Sequence, residues 1–288
     1  MYSTPLTRLR STTGLATFAL VFLLEFYLLQ RYWPGFSNTS VQVTPTFALV
    51  REGLLLSAVL LPTVLLGIAE GRSPLSYGLR GPRRVGHFIV GLVWGISSAA
   101  ALVVCLGVSG HLVFDQLRLS AGPAVGFAVA WGCCFLVVAL AEELLFRGYL
   151  QAALARLIGF WPAATVLSAI FGIVHLRNSN EMAFGVAAVV LGGAFFSLAL
   201  RHTGSLWWGI GFHTAWDWSQ SFLFGTPDSG IVVADRLVQT HPAGAVIWSG
   251  GATGPEGSLF VLPIMAVALV AMLLSPKRSD DQPISRLC

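Results

Sequence analysis

Two adjacent glutamates, Glu142 and Glu143, lie in one of the most apolar parts of the sequence. No charged residue occurs between Val125 and Leu140, and Arg147 is the next charged residue after the pair. Neighbouring buried carboxylates are costly, because desolvation disfavours the charged form and each acid repels the other. A glutamate four residues before an arginine can form an ion pair on one helix face, which accounts for Glu143 and Arg147. Glu142 has no such local partner and is therefore a candidate functional residue.

A histidine in the next apolar segment is the first expected partner of Glu142. If the helix that carries Glu142 continues to about Ala155 and the chain turns near Gly159, Glu142 and His175 each lie about sixteen residues from the turn. In an antiparallel helical hairpin, equal distance from the turn means equal depth. The spacing therefore predicts that Glu142 and His175 lie at the same depth in a helical bundle.

A second candidate pair, His213 and Asp217, lies four residues apart and so shares one helix face. Measured from the turn at Gly204, these residues lie roughly 14–20 Å into their helix, against about 25 Å for Glu142 and His175. We therefore expect all four side chains in one half of the membrane.

The chemistry that these four residues could perform has several alternatives. A desolvated glutamate can take a proton from water, and a histidine can orient that water or protonate a leaving amine. Glu142, His175, His213 and Asp217 could instead be ligands of a zinc ion. Buried acids also serve as proton relays in transporters. Taken alone, His175 could be a core histidine with its hydrogen bonds satisfied, and His213 and Asp217 could form a structural hydrogen bond. A hydrolase and a non-catalytic membrane protein therefore both remain possible at this point.

The composition indicates a lipid environment. Of the 288 residues, 55% are hydrophobic and only 10% are charged, whereas soluble domains carry about 25% charged residues. The formal net charge of +4 does not indicate nucleic-acid binding, because the basic residues lie at the ends of apolar runs and do not form one face. We therefore predict an all-α integral membrane protein with no nucleic-acid partner.

Eight apolar runs divide the chain. They are predicted at about 14–29, 53–69, 87–108, 122–155, 162–176, 182–200, 206–224 and 259–274. Residues 1–121 would hold helices one to three with a basic cytoplasmic connector, and 122–224 would hold helices four to seven, the catalytic core. Residues 225–256 would form a polar extracytoplasmic loop, 257–274 the eighth helix, and 275–288 a disordered tail. Most basic residues outside the runs then fall on one side, which predicts that both termini are cytoplasmic.

Three ordered motifs carry the candidate residues: Glu142-Glu143-x-x-x-Arg147, Phe171-x-x-x-His175 and His213-x-x-x-Asp217. In order and spacing they resemble the motifs of the CPBP family. That family comprises the CAAX prenyl endopeptidase of eukaryotes and related bacterial membrane proteins, some tied to bacteriocin processing or immunity. The resemblance covers about 122–224 and implies an eight-helix intramembrane endopeptidase in a bacterial inner membrane. Its substrates would be membrane-embedded or lipidated peptides or proteins, of CAAX or bacteriocin type.

The resemblance also implies a role for each catalytic position. Glu142 would activate the attacking water with His175 beside it, and His213 would stabilise the oxyanion together with the last motif residue. That last residue is Asp217 here, where many relatives have asparagine, and an ionised aspartate cannot donate a hydrogen bond. Asp217 would then be protonated, orient His213 or belong to a metal site.

Supporting roles are implied for Glu143, Arg147 and Phe171. Members of the family have been called metalloproteases, but the motifs alone do not determine a metal. We favour glutamate-activated water with no metal ligand assigned, and zinc bound through the four catalytic positions is the alternative. A non-catalytic immunity or scaffold protein of the same fold and a proton-coupled transporter are the rival functions. The sequence predicts no particular oligomeric state.

Overall fold

Helices make up nearly all of the regular structure. The computed structural model describes residues 5–33, 43–80, 83–178 and 180–274, and the predicted disordered tail at 275–288 lies outside the described residues. The helices are α1 (Pro5–Tyr32), α2 (Pro45–Ala69), α3 (Arg84–Val108), α4 (Ala121–Leu144), α5 (Leu150–Ile158), α6 (Phe160–His175), α7 (Ala183–Thr203), α8 (Trp207–Trp218), α9 (Val246–Ser249) and α10 (Val261–Leu274). Two strands, β1 (Leu112–Leu117) and β2 (Val238–Pro242), form a small sheet.

Five helical segments among the described residues are long and apolar enough to cross a bilayer. They are Leu6–Tyr32, Pro45–Ala69, Arg84–Val108, Ala121–Ile158 and Ala183–Thr203. The prediction of a multi-pass helical membrane protein is therefore confirmed. At the other three predicted spans the structure has α6, α8 and α10, of 16, 12 and 14 residues. These are shorter than the roughly 20 residues of a typical span, so a count of eight spans stays a prediction.

The second span begins earlier than predicted. We expected it from Gly53, whereas α2 begins at Pro45. Thr44 caps the helix by accepting a backbone N–H of the first turn, and proline at the first position suits a helix start. Arg51 and Glu52 therefore lie inside α2 as an ion pair of 2.6 Å.

The long fourth segment is helical to Ile158, as predicted, but it is not one regular helix. A π-helical turn at Leu145–Tyr149 separates α4 from α5, and Gly148 leaves the helical region with φ −83° and ψ −120°. A second π-helical turn, Ser219–Leu223, follows α8. Such turns are rare and occur often at functional sites. Each one here lies directly after a helix that carries candidate site residues.

Close packing against α3 fixes the position of α8. A Cβ atom on Gly95 of α3 would collide with the carbonyl oxygen of Phe212, and one on Gly211 of α8 would collide with that of Phe88. Small residues of this kind let two helix backbones approach closely in a membrane. Buried Leu102, Phe212 and other apolar side chains fill the surrounding core. This packing places the helix that carries His213 and Asp217.

The region 225–256, predicted as a polar loop, is folded against one end of the helices. Its strand β2 pairs antiparallel with β1, and Val233 forms a bridge with Val43 before α2. The Asp115 carboxylate and His241 Nδ1 add a contact of 2.9 Å across the sheet. The prediction of a helical membrane protein is confirmed, and this small sheet is an addition to it, which pairing between distant segments creates and local periodicity could not indicate.

Candidate functional site

One cavity brings the four predicted catalytic residues together. Glu142 of α4, His175 of α6, and His213 and Asp217 of α8 all line a cavity of about 260 Å³, named here the site cavity. The expected meeting of three separate helices is therefore present in the structure.

The two neighbouring glutamates face different surroundings. The Glu142 side chain is 22% exposed and lines the site cavity, whereas the Glu143 side chain is 1% exposed. The Glu143 carboxylate accepts a hydrogen bond of 3.2 Å from Arg147, whose side chain is equally buried. The predicted ion pair at i, i+4 is therefore present, and Glu142 is the carboxylate available to a ligand.

Aromatic rings enclose the Arg147 guanidinium. Its central carbon lies 4.4 Å from the Phe171 ring centroid and 5.5 Å from that of Phe196. Such cation–π contacts stabilise a charge that has left water. Phe171 also packs edge-on against the His175 ring, with centroids 4.8 Å apart. Phe171 thus connects the buried ion pair with the wall of the site cavity.

His213 contacts three carboxylates. Its Nδ1 lies 3.3 Å from Glu143 Oε1, while its Nε2 lies 3.6 Å from Glu142 Oε2 and 3.5 Å from Asp217 Oδ2. The ring also stacks on Phe196, with centroids 5.0 Å apart. An ionised carboxylate only accepts hydrogen bonds, so Nδ1 donates to Glu143 and Nε2 is directed between Glu142 and Asp217. We did not expect the contact with Glu143, because it depends on where α8 packs.

The contacts of His175 determine its tautomer. Its Nδ1 lies 2.7 Å from the carbonyl oxygen of Phe171, which can only accept, so Nδ1 carries the proton. In the neutral ring Nε2 is then a hydrogen-bond acceptor. Within the described part of the chain His175 makes no hydrogen bond or ion pair with Glu142. The two residues share the cavity wall.

Sequence reasoning missed a group of polar residues contributed by the segment after α8. Asp228, Ser229 and Glu256 line the site cavity. Glu256 Oε1 accepts hydrogen bonds from the Ser229 backbone N–H at 2.7 Å and from its hydroxyl at 2.6 Å. Its Oε2 accepts from Trp216 Nε1 at 3.4 Å, which joins this segment to α8. The sequence offered one signal for these residues. The segment follows the helix that carries His213, and Asp228 and Glu256 are among its few acidic residues.

A tight turn places Asp228 and Ser229 at the cavity. Asp228 exchanges backbone hydrogen bonds of 2.9 and 2.8 Å with the residue three positions later. Ser229 and Gly230 have φ values of 44° and 77°, the backbone of a type I′ turn. The Asn178 side chain donates to the Ser229 carbonyl at 2.8 Å, and Asn180 donates to that of Gly230 at 3.0 Å. The turn is thereby attached to the connection that follows His175.

The connection between α6 and α7 and the region 225–256, which contact each other at this turn, are named here the cover. Carboxyl groups of the cover influence one another. Burial, with a further contribution from the nearby Glu256, raises the pKa of Asp228 well above its ordinary value. Burial and Glu256 likewise raise the pKa of Glu181 to about 7. Glu181 therefore gains its negative charge as the pH rises through about 7.

The donor atoms do not form a common set of metal ligands. Among the described residues, no group of three or more His, Cys, Asp or Glu side chains is arranged to hold one ion. The carboxylates of Glu142, Glu143 and Asp217 contact the His213 ring itself, and His175 Nδ1 is engaged by a carbonyl. This donor geometry does not fit a zinc ion, so we derive no step through a metal.

Comparison with known proteins identifies one family. Residues 124–219 match the family model described as Type II CAAX prenyl endopeptidase Rce1-like. No curated protein and no solved structure matches the chain. The matched segment contains all three motifs, so the resemblance that they predict is confirmed over that third of the chain. The segment that contributes Asp228 and Glu256 lies outside the match.

Proposed function

We propose that this membrane protein, whose residues 124–219 match the CAAX prenyl endopeptidase family, is an intramembrane endopeptidase. The observation that carries the proposal is the contact between Glu142 and His213 at the wall of the site cavity, which also contains His175. A carboxylate, a histidine acceptor and a second histidine around one cavity provide the groups that peptide hydrolysis requires.

Water activation is assigned to Glu142. Its carboxylate takes a proton from a water molecule as the water oxygen forms a bond with the scissile carbonyl carbon. His175 Nε2 accepts a hydrogen bond from the other hydrogen of this water and so orients the attack. This role agrees with the assigned tautomer, in which Nδ1 carries the proton and donates it to the Phe171 carbonyl oxygen in a hydrogen bond. When the carbon–nitrogen bond breaks, the proton held by Glu142 passes to the leaving amine.

Stabilisation of the oxyanion is assigned to His213. In its doubly protonated form His213 donates through Nδ1 to Glu143 and presents Nε2–H at the cavity. A donor held in place in this way can stabilise charge that develops on the carbonyl oxygen. The 3.5 Å contact with Asp217 supports the assignment of Asp217 as a residue that orients this ring. Glu143 and Arg147 fix the opposite side of the ring.

The reaction is proposed to proceed without a metal. The arrangement of the donor atoms supports glutamate chemistry, since the carboxylates contact His213 and do not share a point at which an ion could bind. We expect cleavage to persist after dialysis against a chelator, with metal content followed by mass spectrometry. Loss of cleavage on chelation and its recovery with zinc would favour the metalloprotease alternative.

The proposed substrates are peptides or proteins that lie in the bilayer or carry a lipid. Long apolar helices around the site support this class, and the family name adds the CAAX type as a specific candidate. Bacteriocin-type peptides are a second candidate through the motif resemblance. We propose a bacterial inner membrane as the location, with both termini cytoplasmic, supported by the distribution of arginines in the sequence.

Comparative membrane proteomics tests the proposal and does not require an identified substrate. Membranes that contain the wild type or Glu142→Gln at equal abundance are compared for proteins with new termini. We expect shortened forms that are absent in Glu142→Gln and persist in Glu25→Gln, a control in α1 that removes a carboxylate outside the site cavity. If no terminus depends on Glu142, the peptidase proposal is wrong.

The same variant separates the rival functions. A scaffold that needs Glu142 for packing would lose abundance in Glu142→Gln. A transporter would keep its abundance and lose proton-coupled uptake. The peptidase keeps its abundance and loses cleavage.

A further inference from the structure

A second cavity lies at the other end of α2. It has a volume of about 620 Å³ and is lined by residues of α1, α2, the connection after α2 and α5. Its charged residues are Arg10, Arg72, Arg156 and Glu70, and we name it the arginine cavity. Glu52 in the wall of the site cavity and Glu70 here are 18 residues apart in sequence. That separation corresponds to about 27 Å along a helix, so the two cavities are distinct.

The single carboxylate of the arginine cavity is already engaged. Glu70 Oε1 accepts hydrogen bonds from the Tyr149 hydroxyl at 2.7 Å and from Arg156 Nη2 at 3.3 Å, and its Oε2 accepts from the Tyr77 hydroxyl at 3.1 Å. Burial, with Glu70 as the next cause, raises the pKa of Tyr77 to about 12, so that phenol remains a donor. Glu70 therefore fixes the positions of the Tyr77, Tyr149 and Arg156 side chains.

Arg156 is held rigidly at the wall. Its side chain is 10% exposed, and Nε donates to the Ser11 hydroxyl at 3.0 Å in addition to the Nη2 contact with Glu70. Its Nη1 is buried and finds no hydrogen-bond partner among the described residues. Arg156 therefore has a buried N–H group for which the described residues provide no acceptor.

The remaining positive charge is unbalanced. Within the described residues no carboxylate lies within ion-pair distance of Arg10 or Arg72, whereas Arg156 is paired with Glu70. Three arginines and one glutamate leave a net charge of +2 at the cavity. The hydroxyl groups of Ser11 and Thr17 add neutral donors to the lining, whereas that of Thr13 donates to the carbonyl oxygens of its own helix. Guanidinium and hydroxyl groups together are suited to a phosphate group.

The location of the arginine cavity indicates which molecule could supply a phosphate group to it. Helix α1 begins and helices α2 and α5 end at this cavity, so it lies where the apolar segments meet the membrane surface. Leu6, Leu9 and Ile68, close in sequence to lining residues, are 69%, 61% and 70% exposed. Apolar side chains beside a basic cavity are suited to the acyl chains and headgroup of one lipid.

We propose that the arginine cavity binds a phosphate group at the membrane surface, of the kind carried by an anionic phospholipid headgroup. Arg10 and Arg72 contact the phosphate oxygens, and Arg156 provides a fixed third donor. A soluble phosphate compound has the same chemistry and is the alternative source. The binding is independent of the proposed peptidase activity, since no site-cavity residue takes part.

Binding of short-chain phosphatidylglycerol to the purified full-length protein in neutral detergent tests the proposal. Native mass spectrometry counts bound lipid, and the thermal shift follows the titration. We expect Arg10→Gln/Arg72→Gln to bind at least about tenfold more weakly, since each lost hydrogen bond to a charged group has about that effect. The control Arg80→Gln/Arg84→Gln removes two charges outside the arginine cavity, from the same side of the chain, and should bind as the wild type does.

Two further titrations identify the source and guard against misfolding. If inorganic phosphate competes with phosphatidylglycerol, a soluble phosphate compound is the ligand class; if it does not, the lipid is. If the double variant does not fold, lipid binding is measured with the single variant Arg10→Gln, because Arg10 is exposed. Equal binding by the double variant and its control, or equal binding of phosphatidylcholine and phosphatidylglycerol by the wild type, would overturn the proposal.

Discussion

At the scale of single residues, the two neighbouring glutamates have different surroundings: Glu143 is paired with Arg147 inside the protein, and Glu142 lines the site cavity. The i, i+4 relation to Arg147 predicts that Glu143 is paired, and the structure has that pair at 3.2 Å with both side chains 1% exposed. The contact of Glu143 with His213 could not be predicted in the same way. It joins residues seventy positions apart, and only the packing of α8 brings them together.

Loss of Arg147 should destabilise the fold. Arg147→Gln leaves the Glu143 carboxylate buried without its cation, which costs about 3–5 kcal/mol for a buried pair. Adding Glu143→Gln should recover part of the loss, because it removes the uncompensated charge. Thermal unfolding of the purified variants in detergent measures both effects. Equal stability of Arg147→Gln and the wild type would show that the pair does not hold the site.

The role assigned to Asp217 predicts a difference between two substitutions. Asp217→Asn keeps an oxygen that can contact His213 Nε2 and should retain cleavage within about tenfold. Asp217→Ala removes the contact and should lower kcat by about 10²-fold, as a misplacement of a catalytic group by about 1 Å does. Steady-state kinetics on reconstituted protein compares them. Equal losses in both variants would mean that the negative charge of Asp217 is required.

At the scale of elements, apolar runs indicated the helices but not their irregularities. The predicted spans correspond to α1 to α8 and α10, with α4 and α5 in one run. Neither π-helical turn was predicted, because a π-helical turn differs from an α-helix by one residue in the hydrogen-bond register. The predicted second span covered only the uncharged run from Gly53, whereas α2 begins at Pro45 and includes Arg51 and Glu52.

Close packing of α3 on α8 predicts a steric effect at Gly95. Gly95→Ala places a methyl group against the Phe212 carbonyl oxygen, so the helices must separate. Overpacking of this kind costs about 1–3 kcal/mol, and it should also lower activity because α8 carries His213. Gly86→Ala on the same helix is the control, since nothing lies within 4 Å of its Cβ position. A similar melting temperature for both variants would contradict the packing argument.

At the scale of the whole molecule, contacts join segments that are far apart in sequence, while the predicted sides of the membrane stay a prediction. The arginine cavity joins Arg10, Arg72 and Arg156 from three segments that the sequence places on one side. The pairing of β1 with β2 and of Val43 with Val233 joins segments placed on the other side. The folded cover over the site cavity could not be predicted, because its contacts link residues far apart in sequence and follow no short period.

Titration in the cover predicts that stability falls as pH rises. The pKa of Glu181 is raised from 4.5 to about 7, chiefly by burial, and that of Asp228 is raised in the same direction. Between pH 4.5 and about 7, Glu181 holds its proton more often in the folded state than in the unfolded state. Stability is therefore lost as the pH rises through that window. Glu181→Gln keeps an acceptor for the Met182 N–H and removes the titration. Its melting temperature should decline less than that of the wild type between pH 4.5 and 8; equal declines would contradict the assignment.

The most direct test of the proposed mechanism is the rate at which Glu142 variants cleave a substrate in reconstituted liposomes. The substrate is a protein identified by its Glu142-dependent terminus, and abundance and melting temperature are matched between samples. We predict that Glu142→Gln lowers kcat by about 10²–10⁴-fold without loss of fold, as removal of a general base does. Cleavage by Glu142→Gln at the wild-type rate would contradict the assignment of Glu142 as the base that activates water.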